Sequence, residues 1–293
     1  MRDDARVLAD VVDLLSCPVC GEALGETGGA LRCAAGHSFD IARQGYVNLV
    51  PGRADTPEMV EAREAFLRAG HFRLLSNALR EEARSLELQG VVLDVGAGTG
   101  HHLAAVLDAL PGARGIAVDA SPPALRRAAR AHERAAAVGA DAWKPLPFRD
   151  GIATIVLSVF APRNASEIAR ILAPPAPGSS SGALIAVTPT TRHLHELVGP
   201  LGLLSVPDDK EDRLDSQLAS HLTLARRRTI EHAMFLTRDE CAQLVRMGPS
   251  AWHVDEQSVN ERLGALPEPL TVTASMTLSV FTGAGAGYVR GRP

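Results

Sequence analysis

Cys17, Cys20, Cys33 and His37 stand in a C-x₂-C-x₁₂-C-x₃-H ladder. Thiolates and an imidazole at that spacing suit one tetrahedral zinc ion, because two ligand pairs on tight turns supply four ligands without a large core. The first pair is the knuckle Cys17-Pro18-Val19-Cys20, followed by Gly21; the second is Cys33 and His37, with Gly36 between them. Four protein ligands close the coordination shell, which predicts a structural zinc rather than a catalytic one. The alternative, a helical hairpin of free thiols, is weakened by the few large apolar residues available to fold it. Cys241 is far from the others in sequence and is expected to be a buried, inert thiol.

A second constellation surrounds the turn Val92-Leu93-Asp94-Val95-Gly96-Ala97-Gly98-Thr99-Gly100, followed by His101. A dinucleotide-binding turn would place its third glycine at position 101, where helix and backbone pack over a pyrophosphate. The G-x-G-x-G spacing instead resembles motif I of the class I S-adenosylmethionine methyltransferases. In that family the glycines let the backbone approach the cofactor's amino acid and ribose. Asp119 ends the next apolar run, where a carboxylate can accept both ribose hydroxyls. Taken alone it would read as a strand-end turn residue. Asp141, in Gly139-Ala140-Asp141-Ala142 ahead of Pro145-Leu146-Pro147-Phe148, resembles the family's adenine-edge acid. On this resemblance Asp94, Gly96, Gly98, Thr99, Gly100, His101, Asp119 and Asp141 are the expected cofactor contacts.

These residues need elements to position them. Apolar runs at 90–95, 115–119, 152–160 and 183–188 alternate with helical patterns ending near Leu110, Arg134 and Leu172. Continuous apolar strands separated by helices predict an α/β fold, a parallel sheet covered on both faces. Leu270 to Val280 alternates with polar or small residues and predicts a late strand with one buried face. Pro57 opens a helix through Leu67, and a second helix is expected over 73–88. The expected division is a zinc-binding module at 1–52 that would read the substrate, linking helices at 53–89 and a methyltransferase domain at 90–293. The stretch 173–182, rich in proline and serine, reads as a loop.

At 293 residues, with 46% hydrophobic and 22% charged residues, the chain has ample core for such a fold. The longest apolar run, 151–162, is well short of the roughly 18 residues of a membrane span, and no secretory h-region follows Met1, so a cytoplasmic location and no membrane partner are expected. The formal charge of −4 does not advertise nucleic acid. Local arginine clusters matter more. They stand at Arg63 to Arg80, Arg126 to Arg134 and Arg226 to Arg228.

With both motifs placed, the chain resembles the RlmA-type 23S rRNA (guanine-N1)-methyltransferases, including the tylosin-resistance branch of actinomycetes. The matching residues include Gly36-His37-Ser38-Phe39-Asp40-Ile41-Ala42, Gly45-Tyr46-Val47-Asn48-Leu49 and Arg63-Glu64-Ala65-Phe66-Leu67-Arg68-Ala69-Gly70-His71-Phe72. Thr188-Pro189, Arg192-His193-Leu194 and Met247-Gly248-Pro249-Ser250-Ala251-Trp252 match later signatures, so the likeness covers roughly 14–285. It implies a class I Rossmann-like sheet, one structural zinc, S-adenosyl-L-methionine as cofactor, and methyl transfer to guanine N1 in the helix-35 loop of 23S rRNA. It also implies a homodimer and adds Phe72 and His193 to the cofactor contacts. Position 72 is commonly tyrosine in relatives, so ring stacking is kept there and a hydroxyl contact is not. The Ala- and Arg-rich composition favours nucleotide 748 over 745, beside bound macrolides.

Guanine N1 carries a proton with a pKa above neutrality, so the reaction removes that proton as the N–CH₃ bond forms. The strand end Ser158-Val159-Phe160-Ala161-Pro162 occupies the place where related enzymes hold the target base, and Phe160 would stack there or else be core. No acid stands there to serve as base. Arg32, Arg43 and Arg53 around the finger are expected phosphate contacts. Two other readings share these motifs: a small-molecule methyltransferase of quinone or sterol type, which has no need of a separate reader, and a non-catalytic zinc-dependent RNA-binding protein.

Overall fold

The computed structural model describes residues 4–52, 54–175 and 180–283; Arg53 and part of the proline- and serine-rich loop, 176–179, lie outside them. The chain opens with α1 (Asp4–Ala9) and a three-stranded antiparallel sheet, β1 (Gly25–Thr27), β2 (Ala30–Arg32) and β3 (Ser38–Asp40), in the order β1-β2-β3. Next come β4 (Tyr46–Asn48), α2 (Pro57–Arg68) and α3 (Arg73–Ser85). Thr56 caps α2 by accepting the Met59 N–H, with Pro57 in the first turn.

An alternating series then runs β5 (Val91–Val95), α4 (His101–Ala109), β6 (Arg114–Asp119), α5 (Pro122–Ala128), β7 (Ala135–Gly139), β8 (Ile155–Val159), α6 (Ala165–Ile171) and β9 (Ala183–Pro189). The remainder is α7 (His195–Leu201), α8 (Lys210–Leu218), β10 (Leu222–Leu236), α9 (Arg238–Arg246), α10 (Glu256–Gly264) and β11 (Leu270–Gly283). The main sheet has the order β10-β11-β9-β8-β5-β6-β7-β4. Strands β4 to β9 are parallel, and β11 runs antiparallel between β9 and β10. This is the expected α/β class I sheet.

Side chains on a strand alternate faces, and the apolar runs divide accordingly. Val92, Ala117, Ala137, Leu157 and Val187 pack with α3, α4 and α9. Val91, Leu93, Ile116, Val138, Val156 and Ala186 pack on the opposite face with Leu8, Leu15, Cys17 and Leu31, so the zinc module shares its core with the catalytic sheet. The strand order reverses at β5, which has β6 on one side and β8 on the other. Open α/β sheets place their ligand crevice there, beyond the carboxyl ends of the strands.

Four features differ from the sequence expectation. The helix expected to reach Arg134 stops at Ala128, because the next segment pairs in the sheet as β7. The finger exit supplies β4, paired in parallel with β7 at the sheet edge. Residues 222–236 form a long strand whose arginines are spoken for: Arg226 pairs with Glu82, Arg227 with Asp215, and Arg228 with Glu81 at 3.5 Å. Strand β11 buries both faces rather than one, with Ser275, Thr277 and Ser279 as inaccessible as its apolar partners, because α8 and Arg227 cover the second face: Thr277 Oγ1 donates to Glu211 and Ser279 Oγ accepts from Arg227.

Candidate functional site

The four zinc ligands converge. Cys17 Sγ lies 3.6 Å from His37 Nδ1, Cys33 Sγ lies 3.3 Å from the same nitrogen, and Cys20 Sγ is 3.7 Å from Cys33 Sγ. All four ligand atoms fall within 4.8 Å of one another. Tetrahedral bonds of about 2.3 Å to sulfur and about 2.0 Å to nitrogen give edges near 3.6–3.8 Å, so this donor set fits zinc. The knuckle is tied to the catalytic sheet, since Ser16 N–H donates to the Pro147 carbonyl and Arg149 N–H to that of Leu14. From α6, Arg170 donates to the Leu146 and Phe148 carbonyls, and Glu167 accepts the Leu146 N–H at 2.7 Å. The loop after Asp141 is thereby fixed between the zinc knuckle and the sheet. Cys241 is buried on α9, and burial pushes its thiol up to about 11, as expected of an inert cysteine.

The second constellation gathers at the carboxyl ends of β5, β6 and β7. Gly96, Gly98 and Gly100 all have left-handed φ, at 75°, 55° and 78°. A Cβ on Gly96 would lie 2.5 Å from the Ala161 side chain, so the turn admits only glycine where β8 ends. Asp119 Oδ2 accepts the Gly98 N–H and Oδ1 the Ser121 N–H, each at 2.8 Å. Each oxygen keeps a lone pair for a ligand hydroxyl. Asp94 lies buried beneath the turn with its Oδ1 unpartnered, and burial next to Asp119 pushes its carboxyl up to about 7. Asp141 Oδ1 accepts the Trp143 N–H at 3.0 Å, and its side chain lies against Gly52. Thr99 is buried within the turn, and His101 opens α4 with Nε2 3.3 Å from Ser76 Oγ.

Across the crevice three rings meet. Phe72 lies 6.2 Å from His193 and 6.0 Å from Phe160, and Phe160 stacks on His193 at 5.6 Å. His193 Nδ1 accepts the Ser275 N–H at 3.2 Å, and burial beside His232 pulls its pKa down to about 4. It is therefore neutral at physiological pH, with its proton on Nε2.

Phe160 decides the sequence ambiguity against core. It is 40% exposed and holds a left-handed backbone, φ 53°, that a bulky residue adopts only where its surroundings impose it. Two further side chains enter the site, of which the sequence reading had Arg63 only as part of an arginine cluster and a family match, and Arg163 not at all. Arg63 lies along Gly98, held by Asp55 and by the Met247 carbonyl, and Arg163 follows Phe160. Neither has a local signal, because their surroundings are assembled from distant segments.

Residues 15–55 match the RlmA N-terminal zinc-ribbon family, and residues 92–175 match a methyltransferase domain family. A Micromonospora griseorubida protein assigned to the 23S rRNA (guanine-N1)-methyltransferases is 49% identical over 295 residues, covering 93% of this chain and 98% of its own. The 23S rRNA (guanine(748)-N1)-methyltransferase of Streptomyces fradiae is 47% identical over 278 residues, covering 92% of this chain and 97% of its own. The chain belongs to the RlmA-type 23S rRNA (guanine-N1)-methyltransferases. A solved Bacillus halodurans methyltransferase structure shares the fold at a TM-score of 0.50 and 19% identity, covering 71% of this chain and 97% of that one. As a member of the RlmA-type family with this fold, the chain uses S-adenosylmethionine as methyl donor and one structural zinc ion. Among the described residues no helix is long and apolar enough to cross a membrane.

Proposed function

We propose that this chain methylates N1 of guanine 748 in the helix-35 loop of 23S rRNA. The observation that carries the nucleotide is the 47% identity, across nearly the whole chain, to the Streptomyces fradiae enzyme whose name specifies that position. S-Adenosylmethionine, when bound, supplies an electrophilic methyl group on a sulfonium. The residues proposed to hold it are the Gly96–His101 turn with Thr99, Asp119 at the ribose, Asp141 at the adenine edge, and Phe72 and His193 near the reacting end. Asp94 acts from beneath, by supporting the turn.

The chain's main contribution is geometric. Aligning the target nitrogen with the methyl group in a near-attack arrangement supplies most of the rate. To reach N1, the base must leave its stack and enter the crevice. Phe160, exposed beside His193, gives the extruded guanine a surface to lie on. A neutral His193 whose Nδ1 is occupied offers Nε2–H as a donor and is not the base that accepts the N1 proton.

The zinc module at 1–52 is assigned the reading of RNA shape, with helices at 53–89 linking it to the domain at 90–293. Arg32 and Arg43 are exposed and enter no ion pair among the described residues, which suits phosphate contact. The enzyme is assigned to the cytoplasm, where rRNA is, and to a homodimer. Methylation beside the macrolide site would protect the cell from tylosin-like drugs. Primer extension on rRNA treated with the enzyme tests the reading: a reverse-transcription stop at 748 is expected, and a stop at 745 or none would overturn it. Expression in a tylosin-sensitive host tests resistance separately.

A further inference from the structure

Among the described residues, one half-buried arginine has neither a counter-charge nor a set of backbone carbonyls to meet it. Arg163 follows the β8 exit, and its Nη1 donates to Ser158 Oγ at 3.2 Å. Its Nε is out of solvent without an acceptor, and it enters no ion pair among the described residues. Burial alone pulls its pKa down, with no neighbouring acid acting on it. The other half-buried arginines differ: Arg170 is met by Glu167 and Asp150, Arg227 by Asp215, and Arg134 by three backbone carbonyls. A desolvated charge with no partner opposes folding unless a ligand compensates it.

The sheet face that carries Ser158 holds a second hydroxyl. Ser158 stands opposite Ala186 and Val159 opposite Val187, so Thr188 shares the Ser158 face of the sheet. Thr188 Oγ1 is also buried without a partner. That face carries Val156 and Ala186 with Cys17 and Leu31, whereas Phe72 packs on the other. Arg163 therefore sits on the zinc-module side of the β8 end, three residues and at most about 10 Å of chain beyond Phe160.

We propose that Arg163 binds a phosphodiester of the rRNA strand next to the target guanosine, on the path from the zinc module to Phe160. A nucleotide whose base lies against Phe160 carries its own phosphates within that span, and the guanidinium fork suits two phosphate oxygens. The Ser158 bond aims the fork, and the phosphate supplies the acceptor that Nε lacks. This inference rests on rRNA being the substrate.

The test is a salt titration of binding between the full-length, zinc-loaded enzyme and a transcript of 23S rRNA domain II. Each single-strand phosphate contact contributes about −0.7 to the slope of log affinity against log salt. R163M is expected to weaken RNA binding severalfold and flatten the slope by about that amount, whereas R163K keeps the slope. Affinity for S-adenosylhomocysteine, measured by calorimetry, stays at the wild-type value in both. Should R163M not fold, R163Q removes the charge while keeping a donor for Ser158, and the same readout applies. An unchanged slope overturns the inference. So does a loss of cofactor affinity with RNA binding intact, which would assign Arg163 to the cofactor's carboxylate. Wild-type enzyme that fails to bind the transcript would instead overturn the rRNA reading itself.

Discussion

Phe160 and His193 stack with ring centroids 5.6 Å apart and planes 28° from parallel, although they leave different strands, β8 and β9. The contact depends on the left-handed backbone at Phe160, which turns the ring out of the sheet line and into the crevice. Strain of that kind costs about 1–2 kcal/mol in a non-glycine residue and persists where the surroundings over-determine it.

Comparing F160A with F160G separates the ring from the backbone. Both remove the stacking surface, and each should lower kcat/KM on rRNA about 10–100-fold, the loss expected for one base–aromatic stack. F160G should be the more stable of the two by about 1 kcal/mol, since glycine accepts the positive φ. Thermal unfolding and single-turnover methylation give both numbers. An F160A variant with full activity on rRNA would remove Phe160 from the target-base site.

Asp119 joins β6 to the glycine turn through the Gly98 N–H and holds the following turn through Ser121. D119N loses charge-assisted acceptance of two donors, each worth about 1.5–3 kcal/mol. Calorimetry with S-adenosylhomocysteine should show affinity reduced by at least tenfold, with the fold kept by circular dichroism. A change under threefold would mean that Asp119 serves the turn alone.

Asp94 gives a pH dependence whose sign is fixed. Its folded pKa, about 7, lies above the ordinary carboxylate value, so the folded state holds the proton more tightly. Its contribution to stability is fully present below about pH 4 and is lost as pH rises through 7, at up to about 1.4 kcal/mol per pH unit. D94N should therefore gain stability relative to wild type between pH 4 and 7. Parallel urea-unfolding curves of the two proteins across that range would show the account wrong.

The zinc ladder and the glycine turn were legible because their chemistry is local: four ligands and three glycines fix their geometry within a few residues. The continuous apolar strands were legible for the same reason. Ala135 to Gly139 was not, since three alanines carry little strand preference and lie after a helix-like pattern. Arg226 to Arg228 read as a charge cluster because their acids, Glu82, Asp215 and Glu81, lie in other elements. The strand at Tyr46–Asn48 finds its partner some ninety residues later, a pairing no local pattern encodes. Phe160 stood in an apolar run, and only the packing around it reveals that it faces outward.

Zinc removal should divide the functions. C17S breaks the Cys17, Cys20, Cys33 and His37 set, so elemental analysis should find no bound zinc and rRNA methylation should be lost. The glycine turn, Asp94 and Asp119 stand on β5 and β6, and only the loop after Asp141 reaches the knuckle, so S-adenosylhomocysteine binding should survive, weakened at most through Asp141. Zinc-free enzyme that methylates rRNA at the wild-type rate would contradict the assignment of the module as reader.

The most direct measurement of the central claim is nucleoside mass spectrometry of protein-free 23S rRNA incubated with the enzyme and methyl-deuterated S-adenosylmethionine. The account predicts one labelled nucleoside, 1-methylguanosine, at up to one per rRNA molecule, and none with the zinc-free C17S variant. Labelled methyl on another nucleoside, or rRNA left unlabelled by active, zinc-loaded enzyme, would contradict it.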